Sequence, residues 1–267
     1  MATVRRVLRG AALLLVGLIV LVAVSRLAPV KRAEWLLADM WLAMHRAAPQ
    51  ESESVVVIGI TDRLIPTVIR NGHTDRAFLA DLLRQVDQHH PAVIFMDIFL
   101  DEPSEAARDD ALRLAIRDLH SPLVISVAED HLLDVPLTFA RLDQLGYGAL
   151  TESVSDSVTR WTPSESKFGD MLVPSVARRV MAALGQSWFS APVTIDWHYD
   201  PEFKVIDADH VADAPANALS GKVVAIGGLF SDQDQHLTPV FVGDRRASVP
   251  GLMIHARVIN QLLASGP

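Results

Sequence analysis

The chain has 267 residues, of which half are apolar and 21% are charged, and it contains no cysteine. This length allows one large domain or two small ones with a substantial buried core, and the composition excludes disordered and collagen-like proteins. The absence of cysteine excludes disulfide scaffolds, thiolate catalysis and cysteine-ligated zinc.

The charges are distributed unevenly along the chain. Residues 1–32 contain six basic residues and no acidic one, whereas residues 33–267 contain 18 basic and 32 acidic residues, for a formal net charge of −14. Nucleic acids are bound by clustered lysine and arginine side chains. We therefore predict that the acidic body does not bind nucleic acid, while a small cation or another small molecule is compatible with its charge.

The N-terminal segment has the composition of a membrane anchor. Three arginines within residues 1–9 precede an uncharged apolar stretch at residues 10–25, which extends further if the Arg26 side chain reaches the lipid–water interface. We predict a cytoplasmic basic stub at residues 1–9, a single transmembrane anchor at 10–30 and export of the rest of the chain. The alternatives are a buried core helix and a signal peptide cleaved near residues 23–25.

A second helix is predicted at residues 31–47, directly after the anchor. Trp35 and Trp41 are candidates for the membrane interface, where indole side chains are enriched. We expect this helix to pack on the body or to extend the anchor. Residues 48–267 are expected to form one extracytoplasmic domain, because no repeat or low-complexity linker interrupts them.

The body has the alternation of strands and helices that is typical of α/β proteins. Short β-branched runs predict buried strands at residues 54–60, 92–99, 122–127 and 222–226. Helical periodicity and capping signals predict helices at residues 75–89, 105–119, 174–184 and 252–263. This order predicts right-handed crossovers and a mainly parallel sheet flanked by helices.

Some local features of the body are also predicted. Ser104 is the expected N-cap of the helix at 105–119, and Pro174 is expected in the first turn of the third helix. The segments 193–197 and 203–206 are expected to pair with each other as short strands.

Acidic residues follow three predicted strands, at the edge of the sheet where open parallel sheets bind their ligands. The candidate ligand-binding residues are Asp62, Asp97, Asp232, Asp234 and His236. The last three alternate, so on an extended segment they would share one side and could hold a divalent cation. The alternative is that they only cap turns and helix ends.

The sequence contains none of the common catalytic motifs. A serine-hydrolase elbow, a zinc-protease helix, a P-loop and a dinucleotide-binding glycine motif are all missing. Gly227 and Gly228 are expected to form a tight turn or to allow close packing. His255 is expected to be a buried, hydrogen-bonded histidine. We therefore predict no catalytic residue, no resident metal and no cofactor.

Four segments resemble, in their order, the second type of CHASE domain, which is an extracytoplasmic sensory domain of bacterial receptors. They are SVVVIGITD at 54–62, PAVIFMDIF at 91–99, GKVVAIGGLFSDQDQHLTPV at 221–240 and VPGLMIHARVINQLL at 249–263. The positions that match the family pattern are Asp62, Asp97, Asp234, Thr238, Pro239, Pro250, Gly251, His255 and Ala256. Arg63 departs from it, because family members usually have a second aspartate there.

The resemblance implies a sensor in the bacterial inner membrane with its body in the periplasm. Such a sensor binds a small-molecule or protein signal and passes it to an output module or to a partner. Family members usually continue into further membrane helices and a cytoplasmic enzyme, whereas this chain ends at Pro267. We expect a homodimer or a subunit of a membrane complex. A periplasmic accessory or assembly protein and a metal-dependent hydrolase are the alternatives.

Two expectations concern the edge of the sheet. Asp97 interrupts an apolar strand and should be buried against hydrogen-bond donors, whereas Asp101 should be solvated, so Asp97→Ala should be the more damaging change. The segment at residues 231–236 should lie beside Asp62 and the end of the Asp97 strand.

Overall fold

A parallel sheet of six strands, covered by helices on both faces, forms the centre of the body. The computed structural model of the chain describes residues 2–70, 73–100, 102–128, 134–186 and 191–265. In chain order, the strands are β1 (Gln50–Thr61), β2 (Ile69–Arg70), β3 (His73–Thr74), β4 (Val93–Asp97), β5 (Leu123–Val127), β6 (Leu145–Tyr147), β7 (Thr151–Glu152), β8 (Thr159–Thr162), β9 (Glu165–Phe168), β10 (Met171–Pro174), β11 (Val193–Thr194), β12 (Pro201–Asp207), β13 (Val223–Leu229), β14 (Gln235–Val242) and β15 (Arg245–Pro250). The α-helices are α1 (Ala2–Ser25), α2 (Ala28–His45), α3 (Ile65–Val68), α4 (Arg76–Asp87), α5 (Ala106–Asp118), α6 (Pro136–Phe139), α7 (Val176–Ala183) and α8 (Gly251–Ser265). Short 3₁₀ helices occur at Asp62–Leu64, Leu142–Gln144 and Ala208–Asp213.

The strand order in the central sheet is β12-β1-β13-β4-β5-β6, and all neighbouring strands run parallel. The predicted α/β fold with a mainly parallel sheet is therefore confirmed. β13 comes late in the chain and lies between β1 and β4, which come early. Because parallel strands end at the same edge, the carboxyl ends of β1, β13 and β4 lie side by side.

The two faces of the sheet are covered by different helices, which explains the unbroken apolar runs of its strands. On one face, Val56 and Ile58 of β1 belong to an apolar cluster that includes Leu83 of α4. On the other face, Val57 of β1 belongs to a cluster that includes Ile259 of α8. Side chains that alternate along β1 are thus buried on both sides.

The starts of two helices differ from the prediction. Ser104 is not the N-cap of α5, because Glu105 occupies that position while the backbone N–H and hydroxyl of Ser104 donate to the Asp109 carboxylate at 3.0 and 2.9 Å. Pro174 closes β10 instead of opening α7, and the Ser175 side chain caps that helix. In both places Ser104 or Pro174 takes part in another contact, with the Asp109 carboxylate or within strand β10. The sequence pattern of capping residues does not show these contacts.

The predicted pairing of segments 193–197 and 203–206 is wrong. β11 pairs antiparallel with β8, whereas β12 pairs parallel with β1 at the edge of the central sheet. The long strand β1 offers a row of backbone groups on that side, and β12 satisfies them.

The two N-terminal helices meet at a sharp bend. Within the described part of the chain, no single helix is long and apolar enough to cross a membrane. The segments Leu14–Ser25 and Pro29–His45 meet that criterion only as a pair, which is bent by 72°. The predicted single-helix anchor at residues 10–30 therefore stays a prediction.

The helix α2 packs on the body. This was the first of the two expectations for it, the other being that it extends the anchor. Asp39 is 2% exposed and forms ion pairs with Arg160 of β8 and Arg246 of β15. The Arg160 guanidinium lies over the Trp35 ring, 4.6 Å from its centre. Trp35, which was a candidate for the membrane interface, therefore contacts the body.

Candidate functional site

A cavity of about 280 Å³ lies at the carboxyl edge of the central sheet. Its walls are formed by the ends of β4, β5 and β6 with the residues that follow them, by the β14–β15 hairpin with the residue before it, and by the first turns of α8. The lining residues are Asp97, Phe99, Ala128, Gly148, Ala149, Leu150, Asp234, His236, Gly251 and His255. Three of the five predicted ligand-binding residues, Asp97, Asp234 and His236, are therefore brought together here.

Asp97 is the last residue of β4, and the pKa of its carboxyl group is raised. The Ser126 hydroxyl in the neighbouring strand β5 donates to Asp97 Oδ1 at 2.6 Å. Desolvation raises the pKa of Asp97, although the nearby His255 and the hydrogen bond from Ser126 act in the opposite direction. The cavity wall thus contains a carboxyl group that keeps its proton to higher pH than an ordinary aspartate.

The hairpin contributes a carboxylate–imidazole pair. His236 Nε2 lies 3.0 Å from Asp234 Oδ1, and His236 Nδ1 lies 3.6 Å from a carboxylate oxygen of Glu152. The hydrogen bond to Asp234 raises the pKa of His236, with a further contribution from Glu152, while burial opposes the rise. The His236 imidazole therefore stays cationic to higher pH than an ordinary histidine does.

Asp234 is held tightly against the first turn of α8. The Gly251 N–H donates to the Asp234 carbonyl oxygen at 3.0 Å. A Cβ atom at Gly251 would lie 2.5 Å from Asp234 Oδ2, so this carboxylate can approach the helix only because residue 251 is glycine. Asp234 itself has a φ of 51°, a conformation that aspartate tolerates better than most residues.

His255 faces the same cavity from α8. It is 4% exposed, and its Nε2 lies 2.8 Å from the Gly148 carbonyl oxygen, so this nitrogen carries the proton. The edge of its ring contacts Phe95 at a centroid distance of 5.7 Å. The expectation of a buried, hydrogen-bonded histidine is confirmed, and this histidine also lines the cavity.

The other two predicted site residues lie apart from this cavity. Asp62 accepts a hydrogen bond from the Ser231 N–H at 3.1 Å and so fixes the start of the segment that leads to the hairpin. Asp232 is exposed within a bend. The segment at residues 231–236 does lie beside both Asp62 and the Asp97 strand, as expected. Asp101 lies outside the described residues.

The extended conformation that a cation site at residues 232–236 would need is not formed, because the chain bends at 231–234 and turns again at the positive φ of Asp234. Among the residues that the structure describes, three metal-type ligand atoms come within 4.8 Å of one another only at Asp207, Asp209 and His210. Arg63 already forms ion pairs with both of these aspartates, at 3.1 and 2.8 Å.

The glycine pair is part of a strand and forms no turn. Gly227 and Gly228 lie within β13, where Gly227 is paired in register with Asp97. A Cβ atom at Gly227 would lie 3.0 Å from the Asp97 carbonyl oxygen, so the expectation of close packing is confirmed. In the hairpin, the Thr238 hydroxyl donates to the Ala247 carbonyl at 3.1 Å, and Pro239 continues β14 toward α2.

Sequence reasoning missed Ser126, Gly148 and Glu152. Ser126 is a single polar residue in the apolar run of β5, which is the same signal that singled out Asp97 in β4. Gly148 packs so closely on the Ser126 side chain that a Cβ atom would overlap it. No local pattern marks Glu152, since its role depends only on its distance from His236.

Comparison with protein families matches residues 15–267 to the CHASE2 domain. The comparison with curated proteins and the comparison with solved structures each found no match. The family match includes the whole cavity, the hairpin and α2.

Proposed function

We propose, since this chain belongs to the CHASE2 domain family of extracytoplasmic sensory domains, that it is a membrane-anchored sensor whose signal binds in the cavity beside Asp97. The observation that carries the proposal is that one cavity contacts the sheet, the hairpin and the first turns of α8. A ligand in it would touch three parts of the fold at once. Family membership supports a sensory role in preference to a catalytic one.

The chemistry of the cavity favours a small polar ligand. Its walls combine apolar surface from Phe99 and Leu150 with the carboxyl group of Asp97, the Asp234–His236 pair and the buried His255. Polar atoms contribute slightly more of the accessible wall than apolar atoms do, so a ligand with several hydrogen-bonding groups fits the cavity better than an apolar one. To act as a signal, the ligand must bind more tightly to one arrangement of the hairpin and α8 than to another.

Filling the cavity tests this proposal. Ala149 lines it and is half-buried, so Ala149→Leu should occupy ligand volume, whereas Ala183→Leu changes a half-buried alanine of α7 away from it. Native mass spectrometry of protein purified from its own membranes should detect a bound small molecule in the native chain and in Ala183→Leu only. A bound mass retained in Ala149→Leu would place the ligand elsewhere.

The charge pair gives a second, functional test. Removing both partners with Asp234→Ala and His236→Ala should abolish signalling or partner binding while the domain stays folded. Because Asp234 has a positive φ, Asp234→Asn combined with His236→Gln is the cleaner version, since asparagine tolerates that backbone conformation. Unchanged signalling in a folded double variant would remove the pair from the site.

The membrane arrangement is part of the same proposal. The basic stub at residues 1–9 should stay in the cytoplasm, residues 10–30 should cross the inner membrane, and the body should lie in the periplasm. A reporter fused after Ser265 should then be active in the periplasm, and a reporter fused after Arg9 should be active in the cytoplasm. Cytoplasmic activity of the first fusion would overturn this topology.

A second candidate function is an accessory or assembly protein of a membrane complex. The exposed apolar side chains of α2, among them Leu37 and Met44, favour it because such surfaces often bind proteins. As a homodimer or as a subunit, the chain would then act through partner contacts rather than through a small molecule. Co-purification of a stoichiometric partner that is lost in Leu37→Asp would support this function.

A further inference from the structure

We infer that α2 lies along the membrane surface, with Leu36, Leu37, Met40 and Met44 inserted among the acyl chains of an anionic bilayer. This inference rests on the proposed membrane anchoring. It adds a second, lateral membrane contact, made by the helix that is itself ion-paired to the body.

The outer face of α2 is apolar and open to solvent. Leu36, Leu37, Met40 and Met44 are 46, 66, 51 and 73% exposed. At 3.6 residues per turn, these four positions fall within an arc of about 100° that contains no charged residue. An exposed apolar stripe of this kind is the feature by which interfacial helices enter the headgroup region.

The inner face of the same helix is already occupied. Asp39 is buried in its ion pairs with Arg160 and Arg246, and Leu42 is half-buried against the body. The body therefore holds α2 by one side only and leaves the apolar side outward.

The bend between the two helices sets the inclination of α2 relative to α1. Only Arg26 and Leu27 separate α1 from α2, and the apolar parts of the two helices are inclined by 72°. If α1 crosses the bilayer, α2 begins at its surface and runs nearly parallel to it. Leu18 of α1 is also apolar and 57% exposed, so it is open to contact with lipid.

The basic residues near the bend favour a bilayer over a second copy of the chain as the partner of the apolar face of α2. Arg26, Lys31 and Arg32 lie at and just after the bend, where an anionic headgroup layer would attract them. Two copies joined through α2 would instead bring the basic residues of both copies together. Like charges oppose that arrangement, particularly at low salt.

The absence of cysteine makes a site-specific test direct. Single variants Met40→Cys and Met44→Cys in the full chain would carry a nitroxide label on the outer face of α2. Leu172→Cys is the matched control, since Leu172 is an exposed apolar residue of β10 in the body. The protein is reconstituted in vesicles of phosphatidylethanolamine and phosphatidylglycerol, and each label is tested for relaxation by oxygen and by a water-soluble nickel chelate.

Labels at residues 40 and 44 should be relaxed by oxygen and protected from nickel, whereas the label at 172 should be relaxed by nickel. Nickel access at 40 and 44 equal to that at 172 would overturn the inference. Spin–spin broadening between copies at these positions would overturn it in favour of a dimer through α2.

A label at Leu18→Cys separates this inference from the proposed anchor. Protection at 18 with nickel access at 40 and 44 would retain the anchor and reject the surface helix. Nickel access at 18 with protection at 40 and 44 would reject the spanning anchor and support α2 as the membrane contact.

Discussion

Asp39 in α2 and Arg246 in β15 form an ion pair with an oxygen–nitrogen distance of 2.6 Å, and the Asp39 side chain is 3% exposed. β15 pairs with β14, which carries His236 at the cavity. One hairpin therefore contacts both α2 and the cavity. This connection is a physical route by which a bound molecule can influence α2.

We predict that Asp39→Ala lowers the free energy of unfolding by about 1.5–3 kcal/mol, because it removes the more buried of the two carboxylates that pair with Arg160 and Arg246 and leaves them only Asp156. Urea unfolding measures the loss, and hydrogen exchange should show that α2 loses protection first. The matched control is Glu34→Ala on the same helix, which removes an exposed ion pair with Lys31. The control should cost less than about 1 kcal/mol. Equal losses for the two variants would contradict the structural role of Asp39.

Asp97 should make stability depend on pH. Because its folded pKa is raised above the ordinary 3.8, the folded protein binds this proton more tightly than the unfolded chain does. Stability then falls as the pH rises from 3.8 through the raised pKa. Asp97→Asn keeps an acceptor for Ser126 but cannot ionise, so urea unfolding at a series of pH values should show a smaller fall for this variant. Parallel pH profiles for the native chain and the variant would contradict the prediction.

Asp97→Ala should behave differently from Asp97→Asn. It leaves the Ser126 hydroxyl without its acceptor, which costs about 1–3 kcal/mol for a buried group. The comparison is made at acidic pH, where the carboxyl group is protonated and the hydrogen bond is the main difference. Asp232→Ala, at an exposed bend, is the control and should leave the unfolding midpoint nearly unchanged.

His236 should also stabilise the protein more at low pH than at high pH, as Asp97 does. The physical cause differs, because a hydrogen bond raises the pKa of His236 whereas burial raises that of Asp97. Its folded pKa is raised above 6.5, chiefly by the hydrogen bond to Asp234. The contribution is therefore complete below pH 6.5 and is lost as the pH rises through the raised pKa. The difference in unfolding free energy between the native chain and His236→Gln should shrink over that range. In an Asp234→Asn background, most of this pH dependence should disappear, and its persistence would point to another partner.

Gly251→Ala should destabilise the protein by about 1–3 kcal/mol, because the added methyl group overlaps the Asp234 carboxylate. In an unobstructed helix the same change stabilises by up to about 1 kcal/mol, so the sign of the effect is informative. Asp234→Gly removes the obstructing carboxylate and tolerates the positive φ. A double-mutant cycle should therefore show that Gly251→Ala costs less in that background. Equal effects in both backgrounds would mean that the contact is not formed.

The sequence by itself identified the elements whose signals are local. The run at 92–99 and the periodicity at 75–89 correspond to β4 and α4, because burial on two faces and on one helical stripe leaves a pattern in neighbouring residues. Asp97 could be singled out for the same reason, since one acid in an apolar strand needs a partner. The resemblance of the last segments to the CHASE2 pattern also singles out Asp234, Gly251 and His255, all of which line the cavity.

Only the tertiary structure decided which of these residues meet. β13 enters the sheet between β1 and β4, and this pairing of distant segments sets Asp97 beside the hairpin and α8. The positive φ of Asp234 ended the expected alternation and left Asp232 outside the cavity. Strand neighbours, left-handed backbone positions and close approaches to glycine depend on contacts between residues far apart in the chain. Such contacts leave no periodic signal, so the sequence determined the elements and the candidate side chains, whereas the fold determined the site.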